Sequence, residues 1–86
     1  MTLRLRTDDL TWQELDGEIV VLDLRSSKYF VINGSGTHLW ERLATDASTE
    51  DLANELATTY AVSSATAREH AAEFVRDLRH KGLLEP

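Results

Sequence analysis

The sequence predicts an α+β domain, a three-stranded antiparallel sheet followed by three helices. Two observations carry this. As far as Ile32, strand-like segments rich in β-branched and aromatic residues are separated by short turn signals, and from Ser35 onward apolar residues recur every three or four positions. Connections this short favour an antiparallel meander, and the order of strands first and helices second gives the class.

Taken in order, Thr11-Trp12-Gln13-Glu14-Leu15 alternates loosely as a first strand, and Asp16-Gly17 is a hairpin turn signal. Glu18-Ile19-Val20-Val21-Leu22-Asp23-Leu24 is the second strand, Arg25-Ser26-Ser27 a second turn, and Lys28-Tyr29-Phe30-Val31-Ile32 the third strand. Leu3 and Leu5 alternate with Arg4 and Arg6, which fits an extra strand or a loose arm over residues 1–9 equally well. Leu39, Trp40 and Leu43 fall at helical spacing in a first helix that starts near Ser35. Ser48 caps a second helix, with Asp51 completing a capping box, and Leu52, Leu56 and Tyr60 form its apolar stripe. Ser63 or Ser64 caps a third helix, whose stripe is Ala67, Ala71, Phe74 and Leu78 with Val75 at the border. Gly82 suits the left-handed position past its end, and Leu83 should fold back on Leu78 as in a Schellman ending.

The chain of 86 residues is one domain with a modest core, so added burial from a partner matters to it. It has no cysteine, which removes disulfides, thiolate zinc sites and a cysteine nucleophile, and fits a reducing cytoplasm. No signal-peptide or membrane-spanning segment can be drawn. A net charge of −6, with the basic residues spread along the chain, counts against nucleic acid.

A search for chemistry finds no catalytic constellation and no cofactor motif. His70, Glu73 and Asp77 share one helix face, a pattern that admits a metal but is commoner on a solvated face. His38 and His80 lack a partner that would make them reactive, and no serine sits in a G-x-S-x-G elbow. Asn33-Gly34-Ser35-Gly36 lacks the Lys-Ser/Thr of a phosphate loop and reads as a tight strand-to-helix turn. The third strand raises a different question. Tyr29 and Phe30 must point to opposite faces, as must Val31 and Ile32, so both faces of the strand are apolar. Either the N-terminal arm or a long side chain covers the second face, or the strand is a surface for a peptide.

From about residue 10 to 85 the chain resembles the PqqD-like family, small peptide-recognition domains of ribosomal peptide maturation. The resemblance rests on Val21-Leu22-Asp23-Leu24, Lys28 to Asn33, Gly36, Leu39-Trp40 and Leu52-Ala53. It continues through Tyr60-Ala61-Val62, Phe74-Val75 with Leu78, and Gly82-Leu83-Leu84. The segment Val20 to Phe30 looks most like the stand-alone recognition proteins of lasso-peptide biosynthesis.

The resemblance implies a winged helix-turn-helix-like fold with no catalytic role, binding the leader of a precursor peptide as a strand added to the third strand. Carried over, the strand is Lys28, Tyr29, Phe30, Val31 and Ile32, and the groove wall is Ala71, Phe74, Val75, Leu78 and Arg79. It also implies a partner enzyme such as a leader peptidase. Ser27 departs from the pattern, since a glycine often stands there. Two rivals remain at this point: a winged-helix DNA-binding protein, and a PqqD-type chaperone that serves a radical enzyme.

Overall fold

A computed structural model describes residues 2–85; Met1 and Pro86 lie outside the described residues. The elements follow as β1 (Leu10–Leu15), β2 (Glu18–Asp23), β3 (Lys28–Ile32), α1 (Ser35–Leu43), α2 (Thr49–Tyr60) and α3 (Ser64–His80). The three strands form one antiparallel sheet in the order β1-β2-β3, which leaves β3 at an edge. The predicted α+β class and its element order therefore hold, and β3 has the bounds that the sequence suggested.

Local chemistry sets the element ends. Asp16 and Gly17 both have positive φ (51° and 80°), the type I′ geometry whose twist matches that of paired strands. Ser48 accepts from the Asp51 backbone N–H at 3.0 Å, and the Asp51 carboxylate accepts from the Ser48 N–H at 2.9 Å, so the predicted capping box forms. At α3, the cap is Ser63, whose hydroxyl accepts from the Thr66 N–H. Its other end is a Schellman motif: the Gly82 N–H donates to Arg79 and the Leu83 N–H to Leu78, each at 3.0 Å, with Gly82 at φ 73°.

The inner face of the sheet, carrying Leu10, Ile19 and Val21, packs on Leu39, Trp40, Leu43, Leu52, Leu78 and Leu83. Trp12 meets the buried Trp40 edge-on, with ring centroids 5.2 Å apart. Two expectations about the helices need correction. Tyr60 is 42% exposed, because it is the last residue of α2 and the chain turns away at Ala61 in the left-handed conformation. On α3 the buried stripe is Ala67, Ala71, Val75 and Leu78, while Phe74 is only half-buried. Positions 71, 75 and 78 satisfy helical spacing as well as 71, 74 and 78 do, and packing against α2 chose the former.

The N-terminal segment is a pinned arm. Leu3 bridges Ala47 and Leu5 bridges Leu84, and both leucines are buried. Between them and the sheet, the Arg6 guanidinium donates to Asp23 Oδ1 at 2.5 Å and to the Gly82 carbonyl at 2.7 Å. Asp23 is buried, which would push its carboxyl up. The Arg6 and Ser26 side chains and the Arg25 backbone N–H, all donating to it, outweigh burial and hold it below the usual carboxylate range.

Candidate peptide-binding edge and groove

The backbone of β3 can be assigned group by group. Across a two-residue hairpin the flanking pair, Leu15 and Glu18, exchanges both backbone hydrogen bonds, and every second pair does the same. Gln13–Val20 and Thr11–Leu22 are therefore bonded pairs, and the Leu24 N–H donating to Asp9 at 2.8 Å continues that alternation. The polar groups of Ile19, Val21 and Asp23 consequently turn to β3, where their partners are Ile32, Phe30 and Lys28. This leaves Tyr29 and Val31 with their N–H and C=O directed out from the sheet edge. Their side chains stand on the outer face, 69% and 50% exposed.

Beside that edge runs a groove of about 280 Å³. Phe30, Val31, Ile32 and Asn33 line its strand side, Phe74, Asp77, Leu78 and Lys81 its helix side, and Gly36 and Leu83 complete it. A methyl group at Gly36 would sit 3.0 Å from Ile32 Cγ2 and 3.3 Å from Phe74 Cε1, so the absence of a side chain there lets α1 approach both. Lys81 Nζ lies 2.5 Å from Asp77 Oδ2, an i, i+4 pair along α3, and 5.5 Å from the centre of the Phe30 ring, a cation–π contact that joins helix to strand.

Of the residues singled out in the sequence, the groove brings together Phe30, Val31, Ile32, Phe74 and Leu78. Lys28 is exposed at the start of β3, and Tyr29 lies on the outer face. Ala71 and Val75 are core residues, and Arg79, five positions past Phe74, is turned from it by about 140° at 3.6 residues per turn. Asp77 and Lys81 were missed as groove residues. With Phe74 and Leu78 they complete an i, i+3, i+4, i+7 stripe, a signal obscured once Phe74 was assigned to the core.

The arm does not cover the outer face, where Leu15, Leu22, Leu24, Tyr29 and Val31 remain exposed. Among the described residues no group of three or more His, Cys, Asp or Glu side chains is placed to hold a metal ion. No helix among them is long and apolar enough to cross a membrane.

The family model for PqqD, described as coenzyme PQQ synthesis protein D, matches residues 18–84. The chain belongs to the PqqD family. As such a recognition element it is a non-catalytic peptide-binding domain, and the sequence resemblance holds. No curated protein matches it significantly. Among solved structures, this PqqD-family chain is similar to lasso peptide synthetase B1 complexed with the leader peptide, at 30% identity and a TM-score of 0.86, covering 98% of each chain. It is also similar to TbiB1 in complex with the TbiA(beta) leader peptide, at 27% identity and a TM-score of 0.87, covering 95% of this chain and 94% of that one.

Proposed function

We propose that the chain binds the leader segment of a ribosomally synthesised precursor peptide and delivers it to a processing enzyme, a leader peptidase, in lasso-peptide biosynthesis in the cytoplasm. The leader joins the sheet as a fourth strand on β3 and lies beside α3. The observation that carries this reading is the open edge itself. The outward backbone groups of Tyr29 and Val31 flank an apolar groove, and an edge strand without proline or dense charge is a template for another strand. Backbone pairing supplies affinity and the groove supplies side-chain selectivity. Both neighbours hold leader peptides, and the one that is a lasso peptide synthetase B1 supports a lasso client over the quinone-cofactor pathway in the family's description.

Proline scanning tests the edge. Replacing Tyr29 or Val31 by proline removes an outward donor and should abolish binding of a fluorescein-labelled lasso leader in a polarisation titration. Glu14→Pro, at an outward position on the opposite edge, should leave binding unchanged. If the folded Val31→Pro variant binds as tightly as the parent, the leader does not pair with β3.

A further inference from the structure

The groove continues past Phe74. A second cleft of about 400 Å³, beside Ser35 and Leu39, shares Gly36, Phe74 and Asp77 with the first and extends it to Glu73 and His70. Helix α3 runs antiparallel to β3 along this trough, since Phe74 approaches Ile32 near Gly36 whereas Lys81 lies over Phe30. Charge is distributed unevenly on it. In the middle, Asp77 and Lys81 neutralise each other. Past the lining at one end Lys28 begins β3, at the other end Glu73 lines the second cleft, and neither belongs to an ion pair among the described residues. One end is positive and the other negative, with a self-neutralised centre.

Building on the leader-binding reading, we infer that this polarity reads the charge order of the bound peptide and so selects the direction in which it lies. From Glu73 to Lys81 the helix rises about 12 Å. Lys28 stands two strand residues, about 7 Å, beyond the Phe30 that Lys81 covers. The two charges are thus separated by the length of about six residues of extended strand. An even offset keeps both peptide side chains on one face of the strand. Antiparallel pairing is the more stable per residue, and it places the peptide's earlier residues near Ile32 and Glu73 and its later ones near Lys28. The preferred peptide therefore carries a basic residue followed about six positions later by an acidic one. Each exposed pair is worth up to about a five-fold change in affinity at low salt, so the reversed order should bind on the order of ten-fold more weakly.

The test is a display selection of random linear peptides on the wild-type chain and on the charge swap Lys28→Glu/Glu73→Lys, which keeps the net charge. The wild type should enrich basic-then-acidic pairs at that spacing, and the swap should enrich acidic-then-basic ones. The same order on both proteins, or no charge pairing on either, overturns the inference. Enrichment that survives Val31→Pro, or none at all, overturns the leader-binding reading with it. Should the swap fail to fold by circular dichroism, polarisation titrations of the wild type decide. An enriched peptide and its charge-reversed copy should differ at low salt and converge at high salt, and equal affinity at low salt overturns the inference.

Discussion

Replacing Val75 by alanine removes two methyl groups from a site only 7% exposed, and this should cost about 2 kcal/mol of stability while barely changing peptide affinity. Phe74→Ala acts the other way, stripping one wall of the groove and weakening binding with a smaller effect on the core. Chemical denaturation and leader titration on the same two variants separate these roles. The sequence shows two adjacent apolar residues on a helix and cannot say which faces inward, because both satisfy the period. That is settled by how α3 rolls against α2. Ser27 is the reverse case. Its φ of 59° is a conformation that disfavours side chains and suits glycine. Ser27→Gly should therefore raise stability by about 0.5–1 kcal/mol, read as a shifted denaturation midpoint with no change in affinity.

Elements with local signals are legible in the amino-acid sequence. The capping box at Ser48 and Asp51, the Schellman ending at Gly82 and the Asp16-Gly17 hairpin each depend on a few consecutive residues, and each formed as expected. The groove depends on the contact between α1, α3 and β3, which no local window contains. Gly36 marks that contact. Gly36→Ala should push Ile32 and Phe74 aside, at a cost of about 1–3 kcal/mol, and should narrow the groove enough to weaken leader binding. The cap carries a pH signature as well. The Ser48 backbone N–H, followed by its side chain, holds Asp51 below the usual carboxylate range. Asp23 is shifted the same way. Groups lowered on folding add stability that is complete above the ordinary aspartate value of about 3.9 and lost as pH falls through their folded values. Thermal midpoints should therefore drop below about pH 4, and Asp51→Asn should flatten that acid limb.

Over the whole molecule, the arm is what the sequence left open. Alternation of Leu3 and Leu5 with arginines fits a strand, but what the arm pairs with lies far along the chain, at Ala47 and Leu84. The Arg6–Asp23 pair was equally hidden, being a contact between residues 17 positions apart with no motif to announce it. Leu5→Ala should cost about 3 kcal/mol, and deleting residues 2–7 should lower the thermal midpoint further by also uncovering Asp23. Calorimetry of the two variants checks both, and a truncated arm with an unchanged midpoint would show that it contributes nothing to the fold.

The same arm has a topological consequence. Leu5 lies against Leu84, and the Glu85 N–H donates to the Arg4 carbonyl at 2.8 Å, so the polypeptide enters and leaves the domain side by side. A short linker joining those two points, with new ends opened at the Asp16-Gly17 turn, gives a circular permutant that keeps every groove residue in place. By the same geometry the domain can be spliced as a cassette into a surface loop of an enzyme, the host chain departing and returning at one point while the peptide-binding edge stays free.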